Sequence, residues 1–340
     1  MVEFVATTMK QIIRFIKKVF GSLDSRIKVP INLVSHDLVK VAKCQSYVET
    51  FSRQADSLHK WIKLIYEEDM KKAFELQVRN AIKKLRISVA ELAFDVTKEP
   101  FYGKTRNMYI FNTHKSANPY SGEFHYLTCC LINKNKKIPL MALPVRYGEH
   151  TKLTIELIGY CQSLFKRIKY ILFDRGYYVA ELIDYLSSQK LPYLILVPAH
   201  KGRLTKYRDE TENFQKYSHT LKYSKQKSIW KPKTSIVICK QVFNFDWIFA
   251  TNIHLDNPRD YVLLYKRRWQ IETNYRVQDE AKIKSKSCNY LVRYFYFLIG
   301  HLLHLYWIVH KKFKFYVQFK KYLEIIEQNL FFDFVGIQGI

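Results

Sequence analysis

The chain has 340 residues, with 48% hydrophobic and 16% aromatic residues against only 10 Gly and 9 Pro, a content that builds a packed core and excludes a disordered or fibrous polymer. With 56 Lys and Arg against 30 Asp and Glu, the formal charge is +26; such self-repulsion persists where a polyanion neutralises it, nucleic acid ahead of an anionic membrane surface. Cys44, Cys129, Cys130, Cys161, Cys239 and Cys288 form no CxxC pair and no zinc spacing, so they read as buried thiols of a reducing compartment.

The opening "MVEFVATTMKQIIRFIKKVF" lacks an uninterrupted apolar run and a small-residue cleavage site, and predicts an amphipathic helix rather than a signal peptide. Residues 1–88 are expected to be helical throughout. Ser35 is the expected N-cap of one stretch, with Leu38, Val41, Val48, Phe51, Leu58, Trp61, Ile62 and Ile65 at near-helical spacing. "EEDMKKAFELQVRNAIKKL" predicts another helix. Short basic helices suit either a DNA-reading domain or a cap packed on the core.

From residue 89 the hydrophobic period changes. "ISVAELAFDVT", "EFHYLTCCLIN" and "KIPLMALPV" predict three strands. Helix "TKLTIELIGYCQSLFKRI", strand "YILFD", helix "YYVAELIDYLSSQ" and strand "PYLILVPA" follow. That order is a mixed α/β sheet flanked by helices, the ribonuclease H-like arrangement, with residues 89–200 as its first part. Residues 201–233 carry ten Lys or Arg against three acids. Together with the strands "TSIVICKQVF" and "DWIFATNI" they make 201–258 a basic, β-rich insertion. Residues 259–340 are the C-terminal helical part, in which a long helix is expected from near Tyr261 after "DNPRD". Within it, "YLVRYFYFLIGHLLHLYWIV" (290–309) has the length of a membrane span, but Arg293, His301 and His304 interrupt it, so a buried core helix is expected.

Three carboxylates stand out. Asp95 interrupts an apolar strand, either as a cation-binding group or as a strand terminator capping the next turn; an ionised carboxylate is costly to bury without a partner. Asp174 ends the strand "YILFD" before Arg175 and Gly176. It is a helix N-cap or a ligand at the carboxyl edge of the sheet, where ligands of open α/β folds collect. Tyr265, Arg268 and Glu272 fall at i, i+3 and i+7, on one helical face.

With those residues in place, "FDVTKEPFYG", "LFDRGYY", "FATNIHLD" and "YKRRWQIETNYR" resemble the blocks of DDE-type insertion-sequence transposases, over roughly residues 90–310. The likeness is to the branch whose last block is Tyr, Arg, Glu and Lys. The resemblance implies a DNA transposase that cleaves insertion-sequence ends and transfers strands into target DNA. Asp95, Asp174 and Glu272 would be its catalytic, metal-binding carboxylates, holding two Mg²⁺ ions for which Mn²⁺ substitutes. Tyr265, Arg268 and the neighbouring Arg267 would contact DNA phosphate. Where the block has Lys this chain has Asp279, with Lys282, Lys284 and Lys286 just beyond. An insertion-domain Trp stacks on a flipped base in some relatives; Trp230 and Trp247 are the candidates, with a buried core Trp as the first reading of each. His200 and Lys201 are further candidate DNA contacts. Double-stranded DNA, a homodimer in a synaptic complex, no membrane and a prokaryotic cytoplasmic location are implied. A catalytically inactive DNA-binding descendant and a related metal-dependent nuclease are the alternatives.

Overall fold

The computed structural model describes every residue except 1, 53, 105, 114–118, 134–135, 199–202, 226–227, 312–316 and 336–340. In chain order its helices and strands are α1 (Val2–Phe20), α2 (Ile31–Cys44), α3 (Val48–Phe51), α4 (Ala55–Ile62), α5 (Glu67–Leu85), β1 (Val89–Phe101), β2 (Ile110–Asn112), β3 (Gly122–Asn133) and β4 (Lys136–Pro144). Then come α6 (His150–Leu164), β5 (Arg167–Phe173), α7 (Ala180–Ser188), β6 (Tyr193–Leu196), α8 (Arg203–Glu210), β7 (Phe214–Thr220), β8 (Tyr223–Lys225), β9 (Ser228–Trp230), β10 (Lys233–Val242) and β11 (Phe245–Thr251). The chain closes with α9 (Pro258–Lys266), α10 (Gln270–Gln278), α11 (Tyr290–Lys311) and α12 (Phe319–Val335).

The main sheet runs β2-β3-β1-β5-β6-β11-β10-β7, with β4 also paired to β3. β1 is antiparallel to β3 and parallel to β5, β3 is antiparallel to β4, and β5 is parallel to β6. That is the ribonuclease H-like order. β11, β10 and β7 extend the same sheet antiparallel from β6, while β8 and β9 form a separate ribbon.

The sheet is apolar on both faces because each is covered by helices. On one face Phe94, Leu127, Ile171 and Phe173 pack with residues of the N-terminal helices, α6, α7 and α11. On the other, Ala93, Tyr170, Leu172 and Phe249 pack under Tyr261, Tyr265 and Ile271 of α9 and α10. The N-terminal helices lie against the C-terminal ones: α1 packs on α5, α11 and α12, and α2 on α12. α11 is the described helix with the length and composition of a membrane span, and 89% of its apolar stretch is buried inside the protein.

Several local expectations are corrected. Ser35 lies inside α2 rather than capping it, donating from Oγ to Ile31 O at 2.7 Å. The segment read as one helix to Ile65 breaks into α2, α3 and α4. The helix expected from near Tyr261 begins at Pro258, where Asn257 accepts from Arg259 N–H at 2.8 Å, and a 3₁₀ turn over Arg267–Trp269 separates α9 from α10. Cys44 and Cys288 are exposed, while the other four cysteines are buried as expected.

Candidate active site

Strand register brings the first two carboxylates together. β1 and β5 pair with Ala93 opposite Leu172, and the Phe94 and Phe173 rings follow at 5.1 Å, so the next residues in line are Asp95 and Asp174. Side chains alternate across a strand, which turns Asp95 to the face of Ala93 and Asp174 to that of Leu172, the face that α9 and α10 cover. Asp95 does not end its strand, because β1 continues to Phe101. Its peptide is held by Thr128 Oγ1, which donates to Asp95 O at 3.0 Å. Asp174 does cap a turn: it accepts from Gly176 N–H at 2.8 Å, and a Cβ on Gly176 would stand 3.2 Å from that same carboxylate oxygen.

α10 supplies the third carboxylate. Ile271, Asn274 and Gln278, at i, i+3 and i+7, are buried. Asn274 donates to Cys130 Sγ at 3.4 Å, Tyr275 bonds to Thr128 Oγ1, and Gln278 joins His301 of α11 at 2.6 Å. These contacts seat the helix over β1 and β3 and leave Glu272 at the edge, its side chain 57% exposed.

The Arg268 guanidinium lies between the carboxylates, 3.5 Å from Asp95 Oδ2 and 3.0 Å from Glu272 Oε1. Its side chain is only 9% exposed and stands over the Tyr265 ring at 5.8 Å. Burial holds the Asp95 carboxyl above the usual carboxylate range, and the charges of Asp174 and Glu272 add to that. The Arg268 charge and the Val96 N–H oppose it. Arg267 does the same one strand-turn back: it pairs with Glu91, on the same face of β1, and with the Tyr170 hydroxyl. Two adjacent arginines thus neutralise two carboxylates four residues apart.

The residues of the last block expected to contact phosphate make contacts within the protein. Tyr265 is 2% exposed and packs against Trp247 and Phe249; Arg267 and Arg268 are spent on carboxylates. Trp247 donates to Val242 O at 2.9 Å and stacks on Phe249 at 6.1 Å, so it is a half-buried structural residue in this arrangement. Trp230 pairs with Tyr223 in the small ribbon. Lys282 lies 3.8 Å from Asp279, half-buried, on the far side of Gln278 from Glu272. His200 and Lys201 fall outside the described residues.

Sequence reasoning missed Thr128, Tyr275, Tyr177 and His150. Tyr177 is buried near Asp95 and Asp174, and its ring meets His150 at 4.8 Å. Burial lowers the His150 pKa, with Asp174 opposing. Tyr177 and Tyr275 lie within a turn of Asp174 and Glu272 in the chain, whereas Thr128 and His150 reach the site from other elements and carry no local signal. Beside Asp174 a cleft of about 330 Å³ is lined by Arg175, Arg208, Phe245 and Trp247.

Two comparisons bear on this geometry. Residues 149–308 match the family model described as "Transposase DDE domain", a span that includes Asp174 and Glu272. Just under half of the chain is therefore similar to a DDE-type transposase domain. Asp95 lies before the matched span and joins the domain through the register of β1 with β5. The fold is also similar to that of a solved piggyBac transposase, in a synaptic complex with hairpin DNA: TM-score 0.62, 13% identity, 98% of this chain and 81% of that one. No curated protein matches the chain.

Proposed function

We propose that this protein is a DNA transposase of the insertion-sequence type, cleaving element ends and joining them to target DNA. The observation that carries the reading is that Asp95 of β1, Asp174 at the end of β5 and Glu272 of α10 stand near one another, the last two within the span that matches a transposase DDE domain. The overall charge of +26 supports double-stranded DNA as partner. A synapsed pair of ends calls for two copies of the chain, and the branch with the Tyr, Arg and Glu block fits Tyr265, Arg268 and Glu272.

The donor set consists of carboxylate oxygens, which suits Mg²⁺. The site also selects positive charge, because Asp95 and Glu272 already share one guanidinium. Among the described residues no three His, Cys, Asp or Glu side chains stand close enough to enclose an ion, and the Arg268 guanidinium lies between Asp95 and Glu272. Asp95, Asp174 and Glu272 would hold Mg²⁺, or Mn²⁺ in its stead, which when bound supplies charge stabilisation at a phosphodiester.

The chain's own groups do the rest. Thr128 and Tyr275 fix the strand carrying Asp95 and the helix carrying Glu272, so the carboxylates approach DNA on a rigid edge. Arg268 would be a cation beside the reacting phosphate. Hydrolysis frees a 3′-hydroxyl, and transesterification then joins it to a second phosphodiester with no covalent protein intermediate.

A second reading has its own support: the neutralised carboxylates suit a DNA-binding descendant that no longer cuts. Cleavage of DNA carrying the element's flanking ends, with Mg²⁺, compares wild type with Glu272→Gln. Cutting by wild type and binding without cutting by the variant are expected. Equal cutting by both overturns the assignment of Glu272, and binding without cutting by both selects the second reading.

A further inference from the structure

Beyond Asp95, at the far end of β1, lies a cleft of about 480 Å³. Glu99 and Phe101 lie at its floor; Tyr47, Tyr102 and the chain from Lys282 to Lys286 form its walls. That last stretch is extended and alternates. Ile283 and Ser285 are buried, Lys282 is half-buried, and Lys284 and Lys286 are exposed. It is held rigidly from both sides. Val48 N–H donates to Lys284 O at 3.0 Å, and Lys284 N–H donates to Ser46 O at 2.9 Å. Ser285 Oγ donates to Glu49 at 2.7 Å, and Arg293 donates to Ser285 O at 2.8 Å and to Ser287 O at 2.7 Å. Alternate side chains of an extended strand stand about 6.4–6.8 Å apart. The three lysines, of which Lys282 also lies 3.8 Å from the exposed Asp279, therefore form a row of cations at a spacing comparable to that of successive phosphates on one nucleic-acid strand.

Rim and floor differ in charge, and the difference decides what each receives. The floor holds the buried Glu99, 3.8 Å from Arg293, and Arg293 is itself sandwiched over Phe101 and Phe124 at 5.5 and 4.7 Å. The carboxylate is paired with Arg293 there, so the exposed cations lie along the rim and the exposed aromatic surface lies at the mouth. At the mouth Tyr102 is 61% exposed, its ring edge-on to Tyr120 at 6.0 Å. Lys286 lies over the Tyr47 ring at 5.8 Å. Exposed aromatic surface beside a row of cations is the combination that binds single-stranded nucleic acid. Glu99 follows Asp95 by four residues on one strand, about 13 Å, so the cleft lies within a few nucleotides of the carboxylates.

We infer that this cleft is a track for one DNA strand beside the cleavage site. Its phosphates lie along Lys282, Lys284 and Lys286, and one unstacked base enters beside the exposed Tyr102. The inference rests on the reading of the protein as a DNA-cleaving enzyme and adds a strand-specific surface to it.

The test is fluorescence anisotropy of the full chain in EDTA. One probe is a fluorescein-labelled blunt duplex; the other is the same duplex with a short single-stranded tail containing 2-aminopurine. Wild type is expected to prefer the tailed duplex and to quench the 2-aminopurine. Replacing the three lysines together by Ala is expected to lower the salt slope of tailed-duplex binding by about 2, at roughly 0.7 per contact on a single strand. Tyr102→Ala is expected to reduce the tail preference about tenfold, within the range for loss of one base stack, while Tyr102→Phe keeps it. Thermal melts verify that the variants fold. Wild-type affinity, slope and tail preference in the variants overturn the inference and leave the DNA reading standing, as does the absence of any tail preference in wild type. Failure of wild type to bind either duplex overturns both.

Discussion

Arg268→Met removes the guanidinium from between the carboxylates while keeping an unbranched stem over Tyr265. The contact with Glu272 counts for little, because that carboxylate is 57% exposed and pairs of this kind contribute about 0–1 kcal/mol. The Asp95 contact counts for more, since the two side chains are only 9% and 21% exposed. Orphaning one partner of a fully buried pair costs roughly 3–5 kcal/mol. At 3.5 Å and partial exposure, a loss of about 2 kcal/mol at neutral pH is expected. Its pH dependence has a definite sign. Burial already raises the Asp95 pKa, and the variant loses the largest influence opposing that rise. A carboxyl whose folded pKa lies above its unfolded value costs stability as pH rises through it, so the deficit shrinks on acidification through the carboxylate range. Mg²⁺ acts in the opposite direction to the mutation. At ten times its dissociation constant it stabilises the folded state by about 1.4 kcal/mol, and the variant gains more than wild type, which must first give up two ion pairs. Urea unfolding followed by tryptophan fluorescence, at neutral and acid pH and with and without Mg²⁺, measures all three effects. A variant as stable as wild type in neutral, metal-free buffer, or a deficit independent of pH, refutes the reasoning.

Two further outcomes follow from burial. His301, His304 and His310 are held neutral by burial, with pKa values pushed down to about 4, about 3 and about 4 from 6.5. Stability from them is whole above pH 6.5 and falls as pH drops towards 4, by about 1.4 kcal/mol per pH unit for each histidine; urea midpoints across that window check the slope, and His304→Gln flattens it. Alkylation of the native protein modifies Cys44 and Cys288 quickly and leaves the four buried thiols until urea is added, which a thiol titration with and without denaturant counts.

Much of the fold was legible because its signals are local. A change of hydrophobic period marks where helices give way to strands, and "EEDMKKAFELQVRNAIKKL" coincides with α5. Asp174 was legible as a strand-end residue, since an apolar run followed by Asp, Arg and Gly needs no distant partner to be read. Asp95 was legible as a charge within an apolar strand, but whether it ended that strand depended on pairing with β3 through Phe101. Short polar strands escaped: β7 carries few apolar residues of its own and is a strand because β10 pairs with it. Ser35 was misread because a residue that caps a helix can equally bond the carbonyl four residues back.

The sequence by itself determined which residue types stand where along each element: the order of strands and helices, the excess of positive charge, and a carboxylate at each of three predictable positions. Only the tertiary structure decided what those charges face. Arg267 and Arg268 look like surface cations in the chain, yet the 3₁₀ turn after α9 aims them at Glu91 and Asp95 across the sheet. Lys282, Lys284 and Lys286 look equally ordinary, yet pairing with Tyr47 straightens their segment and lines them along a cleft. The reason is physical: helix and strand periods are set by neighbours in the chain, whereas burial and ion pairing are set by whichever element folding brings opposite.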